Sequence, residues 1–209
     1  MKLWLKGVLV FLAAVAVLSA IGASMSPPVQ NNVTPLSVTV ATSQTYQSYS
    51  DSVNGFTVQV PGAWEIFRNP TPTSEESAAG LIPVLSVHPS NSQGFGGSFV
   101  VSVDKSPQIG SASQYAVTYK EKLAQIWSSE GITYNSLQNM TLAGSLAFEI
   151  AYTIHFPTNG GGDCPARDVV TTHNGMAYIL GFDTCSASDA SANLTRFGTF
   201  ESSFGFLSP

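Results

Sequence analysis

Apolar and polar residues alternate along several segments of the chain and predict a series of β-strands. The segment 56–60 reads F-T-V-Q-V behind the turn-forming pair Asn54–Gly55, which is typical of a strand with one buried face. Pro61–Gly62 ends this strand at a sheet corner. The same pattern predicts further strands at residues 64–67, 84–88, 98–104, 134–142 and 146–156, the last two joined by a turn at Ala143–Gly144.

Between the strands predicted at 98–104 and 134–142, the spacing of apolar residues changes from every second position to every third or fourth, which predicts the first helix. Ser111 followed by Gln114 forms a capping box, in which each residue bonds a free backbone N–H of the other. Apolar residues then recur along one helical stripe from Tyr115 to Trp127, and Gly131 ends the segment.

A second helix is predicted from about Ser188, with Leu194, Phe197 and Phe200 at spacings of three. A short strand around residues 204–206 follows it. Because the strands occur in adjacent pairs and only two helices interrupt them, the pattern favours an α+β fold over a doubly wound parallel sheet. We expect an antiparallel β-sheet flanked by helices, an α/β/α sandwich.

An Asn-Gly pair at 174–175 predicts a β-hairpin near the end of the chain. It separates the runs 167–173 and 176–184, both rich in β-branched and aromatic residues. Asn-Gly is the strongest short signal for a two-residue type I′ turn, since both residues tolerate positive φ. Counting outward from this turn then gives the residue pairs of the two strands.

The register brings the two cysteines together. If His173 pairs with Met176, continued pairing places Cys164 opposite Cys185, at a non-hydrogen-bonded position where side chains approach closely. We predict a cross-strand disulfide, and two free buried thiols are the alternative. Pro165 has no N–H to give to the ladder, so pairing is expected to fray beside the bridge.

The N-terminal segment indicates export. Lys2 and Lys6 precede an apolar run from Gly7 to Ala23, which reads either as a cleaved signal peptide or as an uncleaved signal-anchor transmembrane helix. A buried core helix is the third alternative. We divide the chain into a hydrophobic helix at 1–23, a flexible Ser/Thr/Pro-rich stalk at 24–45 and a folded domain at 46–209. The domain is expected to be membrane-anchored outside the cytoplasm or secreted.

Composition and charge narrow the range of partners. Of the 209 residues 44% are hydrophobic and only 10% are charged, and the formal net charge is −5. Since no basic stripe is present to neutralise phosphates, nucleic acid is excluded as a partner. The sequons at Asn32, Asn139 and Asn193 permit N-glycosylation of an exported chain.

The sequence carries none of the common catalytic motifs. We find no G-x-S-x-G elbow, H-E-x-x-H helix, Walker loop or C-x-x-C pair. The three histidines, His88, His155 and His173, are scattered along the chain and are interpreted as surface residues. We therefore predict no catalytic residue, no cofactor and no metal ligand, while leaving enzymatic activity open.

One acidic group near the hairpin is the exception that we retain as an alternative. Asp168 and Asp183 lie on diagonal positions of the hairpin face that bears the cysteines, about 7 Å apart, and Asp163 is expected to join them from the adjoining loop. Three carboxylates suit a hard cation such as Ca²⁺. Solvated side chains on the rim of the sheet are the simpler interpretation. Arg167 is expected to point to the opposite face, so it need not neutralise the carboxylates.

A family resemblance follows from residues 55–64, which read G-F-T-V-Q-V-P-G-A-W. They resemble the G-F-x-hydrophobic-x-x-P-x-x-W opening of the PsbP-like superfamily, which includes PsbP, Mog1p and LpqN-type α+β domains. The long helix, the turn at 142–149, the Asn-Gly hairpin and the closing S-S-F-G-F at 202–206 agree in order. The resemblance covers residues 46–207 and implies an antiparallel sheet between helices.

Members of that superfamily act mostly as binding or assembly modules. The resemblance therefore implies a non-enzymatic module of the cell envelope, tethered through its N-terminal segment, which binds an envelope protein or a small ligand. An exported hydrolase or a cation-binding protein that uses the acidic hairpin end is the alternative.

Overall fold

The computed structural model describes residues 45–90, 97–106, 110–156, 162–185 and 190–208. The predicted N-terminal hydrophobic helix, nearly all of the predicted stalk and the sequon at Asn32 lie outside these residues. Within them, no helix has the length and apolar character needed to cross a membrane.

The described residues form ten strands and three helices. The strands are β1 (Tyr46–Asp51), β2 (Phe56–Pro61), β3 (Trp64–Arg68), β4 (Ile82–Pro89), β5 (Ser98–Asp104), β6 (Ile132–Leu142), β7 (Ser145–Phe156), β8 (Gly162–His173), β9 (Met176–Asp183) and β10 (Gly205–Phe206). The helices are α1 (Ser74–Ala78), α2 (Ala112–Ile126) and α3 (Ala190–Ser202).

The strands are arranged in two antiparallel sheets. The larger sheet has seven strands in the order β3-β4-β5-β9-β8-β7-β6, and the smaller one has the order β1-β2-β10. Neighbours in the larger sheet are mostly joined by hairpins, as the antiparallel α+β prediction requires. The predicted fold class is confirmed for the described part of the chain.

The seven-stranded sheet has an apolar cluster on each face. Helix α2 covers one face, where its residues Tyr115, Tyr119 and Leu123 pack on side chains of β7, β8 and β9. Helix α3 and the three-stranded sheet cover the other face, where Phe197 and Phe200 pack against Phe99 and its neighbours. Alternation along each strand divides its side chains between these two layers.

Local signals explain most of these elements. The Ser111 hydroxyl accepts a hydrogen bond from the Gln114 N–H, and the Gln114 side chain bonds the Ser111 N–H, so the predicted capping box begins α2. Helix α1 was not predicted, although Thr73 and Glu76 form the same capping box. Strand β1 was also not predicted as a strand.

The hairpin of β8 and β9 has the predicted register. His173 pairs with Met176, and the ladder continues to the pair of Ala166 with Asp183. Both turn residues have positive φ, as a type I′ turn requires.

The predicted disulfide closes the open end of this hairpin. Cys164 and Cys185 are bonded, with their Cα atoms 4.4 Å apart. The regular β8–β9 ladder stops beside Pro165, as expected, but the N–H of Thr184 still donates to the Pro165 carbonyl over 3.2 Å. One of the two hydrogen bonds of that residue pair is therefore kept.

Candidate functional site

A cavity of about 110 Å³ lies between helix α2 and the seven-stranded sheet, and we call it the acidic cavity. Helix α2 and the residue after it form one wall. Strands β5, β8 and β9 form the floor. Its lining consists of Glu76, Leu81, Val100, Ser102, Tyr119, Leu123, Ile126, Trp127, Tyr152, Asp168, Ile179, Gly181, Phe182 and Asp183.

Gly181 creates the space above the floor. It lies directly opposite Asp168 in the β8–β9 ladder. A Cβ atom at position 181 would lie 2.9 Å from Oδ1 of Asp168 and 4.0 Å from Cβ of Val100. Any side chain at position 181 would therefore clash with the carboxylate of Asp168. Glycine avoids this clash and leaves the space beside the carboxylate open as part of the cavity.

Asp168 is the buried carboxylate of the acidic cavity, and only 4% of its surface is exposed. The hydroxyls of Tyr119 on α2 and Tyr152 on β7 both donate to its Oδ2, over 2.8 and 3.0 Å. Burial raises the pKa of Asp168 to about 7, although the two tyrosine hydrogen bonds lower it and the charge of Asp183 raises it further. Near neutral pH the group is therefore close to half ionised.

Asp183 is the second carboxylate, and it lies nearer the end of β9. It pairs with Ala166, so it shares the α2 face with Asp168 on a diagonal position. The Ser98 hydroxyl donates to its Oδ1. Burial raises the pKa of Asp183, and the hydrogen bond from Ser98 opposes that shift.

The charges around the acidic cavity are unbalanced. Its lining holds Glu76, Asp168 and Asp183, and no Lys, Arg or His among the described residues. Lys122 of α2 bonds another buried carboxylate, Asp104, over 3.1 Å. Burial raises the pKa of Asp104, but donors including Lys122 outweigh it and hold that pKa below its usual range. Within the described part of the chain, Asp168 has no such cation among its contacts.

The three-carboxylate cation site, which we retained as an alternative, is not assembled in the described residues. Asp163 lies in β8 rather than in a loop, five residues before Asp168, so the alternation of the strand turns it to the opposite face. Its side chain is 74% exposed and bonds Nδ1 of His155 over 2.8 Å. Within the described residues, no three His, Cys, Asp or Glu side chains are grouped so that they could hold a metal ion.

Arg167 lies on the face opposite Asp168, as predicted. Its Nε is 3.1 Å from a carboxylate oxygen of Glu149, and its Nη2 donates to Glu201 on α3. The guanidinium also lies over the ring of Phe197 at 5.1 Å. It therefore neutralises acids on the α3 side and supplies no positive charge to the acidic cavity.

The other residues that the sequence analysis singled out lie apart from one another. His173 stacks on Phe206 and His88 stacks on Phe67, with ring centroids 3.9 and 4.5 Å apart. Asn139 is exposed on β6. Asn193 is buried in α3, where Oδ1 accepts a hydrogen bond from Arg196. A glycan on Asn193 would have to displace that packing, so this sequon does not suit modification of the folded domain.

Sequence reasoning identified Asp168 and Asp183 but missed the tyrosines and the cavity. Tyr119 falls on the apolar stripe predicted for the first helix, and Tyr152 alternates with Phe148, Ile150, Ile154 and Phe156 on one face of the strand predicted at 146–156, so each has the pattern of a core residue. The missed signal is an aspartate that interrupts the inward-facing apolar positions of β8 and faces two tyrosine positions. A buried carboxylate needs donors, and tyrosine hydroxyls can supply them.

Comparison with known proteins identifies the fold. No protein-family model and no curated protein matches the chain. The solution structure of cyanobacterial PsbP (CyanoP) from Synechocystis sp. PCC 6803 matches 80% of this chain and 95% of that one, with a TM-score of 0.59 and 14% identity. The chain has a PsbP-like fold.

Two further solved structures match the chain at lower TM-scores. The Ran-binding protein Mog1p of Saccharomyces cerevisiae matches 79% of this chain and 97% of its own, with a TM-score of 0.49 and 10% identity. LpqN of Mycobacterium tuberculosis, which is involved in cell envelope biogenesis, matches 78% of this chain and 91% of its own, with a TM-score of 0.46 and 10% identity. At these identities the likeness concerns the fold alone.

Proposed function

We propose that this chain is an exported binding module whose acidic cavity holds a small organic cation. One observation carries the proposal: Asp168 and Asp183 share a cavity whose described lining contains no basic side chain. A carboxylate removed from water is costly unless a positive charge or several donors replace its hydration. The tyrosine donors satisfy one oxygen of Asp168, and its other oxygen faces Gly181.

An ammonium group supplies what the acidic cavity lacks. Its positive charge offsets one of the two carboxylate charges, and its N–H groups are donors for the oxygens of both. Trp127 and Tyr152 also line the cavity, and aromatic faces attract cations. Apolar side chains such as Leu81 and Ile179 suit a short hydrocarbon part. The chemistry favours an alkylammonium over a bare metal ion.

The size of the acidic cavity limits the ligand. A volume of about 110 Å³ is somewhat smaller than an engineered cavity of about 150 Å³ that takes up benzene. Drug-sized ligands occupy roughly 300–1,000 Å³. We therefore expect a cation with few non-hydrogen atoms, of the size of propylammonium.

The proposed location is outside the cytoplasm. The disulfide between Cys164 and Cys185 supports it, because such bonds persist in oxidising compartments. The apolar run that ends at Ala23 supports it independently, either as a signal peptide or as an anchor in the membrane. The module would then meet its ligand in the cell envelope or beyond it.

Calorimetric titration of the full chain with propylammonium tests the proposal, with propan-1-ol as the neutral counterpart. We expect saturable binding of the ammonium only. Asp183→Asn should weaken it at least about tenfold, since a charged hydrogen bond contributes ~1.5–3 kcal/mol. Asp163→Asn, on the opposite face, is the matched control and should change nothing. Affinity should rise with pH through about 7 as Asp168 ionises.

Equal binding of amine and alcohol, or none of either, would contradict the proposal. The alternative, an exported hydrolase, uses the same two carboxylates and predicts ester, peptide or glycoside cleavage by the purified chain that Asp168→Asn and Asp183→Asn abolish. The acidic cavity is small for a sugar ring or a peptide unit, and this favours binding over hydrolysis. Circular dichroism of each variant shows whether the fold is kept.

A further inference from the structure

Strand β6 forms one outer edge of the seven-stranded sheet, and beyond a bulge near its start it is long, regular and uncharged. Ile132–Leu142 reads I-T-Y-N-S-L-Q-N-M-T-L, without a charged residue or a proline. Among the residues that the structure describes, β7 is its only strand partner. A long edge strand without charge is a template for pairing with another strand.

The opposite edge of the same sheet is built differently. Strand β3 has only five residues, Trp64–Arg68. It contains Glu65 and Arg68, and the Arg68 guanidinium lies over the Tyr49 ring at 5.4 Å. A short, charged edge disfavours addition of a further strand. The two edges of one sheet therefore differ in what they can bind.

The β6–β7 hairpin shows which backbone groups of β6 face outward. Leu142 and Ser145 close a two-residue turn, in which Ala143 and Gly144 both have positive φ. The closing pair of such a turn is hydrogen-bonded, and bonded and non-bonded pairs then alternate. The N–H and C=O groups of Thr141, Asn139 and Leu137 therefore point away from β7. The bulge between Tyr134 and Ser136 lies beyond this regular stretch.

We propose that two copies of this chain pair through β6, antiparallel, around a two-fold axis at Asn139. Asn139 then meets Asn139 of the second copy, and Leu137 meets Thr141 of the second copy on each side. Every outward N–H and C=O group of these three residues obtains a partner. The two seven-stranded sheets become one continuous sheet. This inference does not rest on the proposed cation binding.

Exposed leucines give this pairing an apolar component. Leu137 is 45% exposed and Leu146 is 54% exposed. Leu137 pairs with Ile150, and Leu146 pairs with Thr141, so both lie on the same face of the sheet. In the proposed dimer, Leu137 of one copy lies opposite Thr141 of the other. Thr141 pairs in turn with Leu146 of its own copy, so the three side chains form one row across the sheet. Pairing therefore covers side chains that a monomer leaves in water.

Glycosylation of Asn139, which its sequon permits, and this pairing exclude each other. A glycan at the two-fold axis would hold the two strands apart. Mass spectrometry of the chain from its host shows which is present. An unmodified Asn139 is expected, and a glycan on it overturns the proposal.

Sedimentation equilibrium of the full chain in density-matched detergent is the main test. Over an about hundredfold dilution series, we expect a mass that rises from 22.0 kDa toward twice that value. Leu137→Lys should restore the monomer by placing two charges at the edge. Asn139→Pro should do the same by removing an outward N–H without breaking the β6–β7 ladder. Val53→Lys, at an 82% exposed turn position, is the matched control and should leave the dimer intact.

Cross-linking tests the register separately. With Asn139→Cys we expect a covalent dimer on a non-reducing gel, and with Val53→Cys we expect none. A mass of 22.0 kDa throughout the series overturns the proposal. A dimer that survives both Leu137→Lys and Asn139→Pro also overturns it, because another surface would then hold the copies together.

Discussion

At the scale of single residues, Asp168 occupies a position that a sheet core would ordinarily give to an apolar side chain. Its neighbours on the same face of β8, Ala166 and Val170, are apolar and buried. The carboxylate is retained by two tyrosine hydroxyls from different elements, α2 and β7. It therefore links helix to sheet and also leaves the protein with a proton that is released near neutral pH.

Asp168→Asn should change how stability depends on pH. Burial raises the pKa of Asp168 to about 7 in the folded protein, against about 3.9 in an unfolded chain. Between those pH values the folded protein holds a proton that the unfolded chain has lost. The free energy of unfolding therefore falls as pH rises from about 4 to about 7, by up to ~1.4 kcal/mol per pH unit for this group. Asparagine removes this contribution.

Thermal unfolding between about pH 4 and pH 8 measures the effect. Partly buried acids away from the acidic cavity, such as Glu201, are present in both proteins, so their contributions cancel in the difference between wild type and variant. Asp163→Asn is the control and should follow the wild-type curve. Parallel curves for wild type and Asp168→Asn would show that the carboxylate does not titrate in this range.

At the scale of elements, the disulfide joins two strands that their turn already holds together. Replacing Cys164 and Cys185 together by alanine should lower the free energy of unfolding by about 1–2 kcal/mol. Chain-entropy models assign ~3 kcal/mol to a loop of this size, but the Asn-Gly turn and the ladder already restrict the unfolded hairpin. Urea unfolding measures the loss. Faster amide exchange should be confined to the ends of β8 and β9 near Pro165.

A loss of cooperative unfolding in this variant would show that the bridge holds the whole domain together. Non-reducing mass spectrometry of the chain isolated from its host gives an independent check. Two free thiols there would contradict the bridge, and with it one support for export.

The sequence predicted the elements whose patterns are local. The strands that alternate, the capped helix α2 and the Asn-Gly hairpin each carry their own signal within a few residues. Strand β1 was missed because its sequence, Y-Q-S-Y-S-D, is polar and has little apolar alternation. Helix α1 was missed because five residues are too few for an apolar stripe.

The acidic cavity depends on contacts that no local pattern contains. Its floor requires Gly181 beside Val100 and opposite Asp168, on three different strands. Its wall requires α2 to place Tyr119 above them. The hairpin register placed Asp168 and Asp183 on one face, but only the full strand order puts a helix over that face. Asp163 was grouped with the other two because it was expected in a loop, whereas β8 begins at Gly162 and its alternation turns Asp163 to the opposite face.

At the scale of the whole molecule, the domain should fold without the N-terminal segment. A chain that begins at Tyr46 and ends at Leu207 retains both apolar clusters, the capped helices and the disulfide. We expect one cooperative thermal transition, followed by circular dichroism. Gradual melting would show that residues before Tyr46 contribute to the core.

The full chain is the comparison for this shortened one. We expect the full chain to fractionate with membranes of its host if the apolar run is kept, and the shortened chain to remain in the soluble fraction. Recovery of the full chain from the cytoplasm as a soluble protein would contradict the proposed export.

The three-stranded sheet has a mechanical consequence. Strand β2 lies in its centre, with β1 on one side and β10 on the other, and the Leu207 N–H donates to the Gly55 carbonyl over 2.8 Å. A force applied between Tyr46 and Phe206 is therefore carried by the hydrogen bonds that join β1 and β10 to β2, rather than by the larger sheet. A pull on the chain would strip β1 or β10 first, and the acidic cavity would keep its shape under a load that had already loosened both ends of the domain.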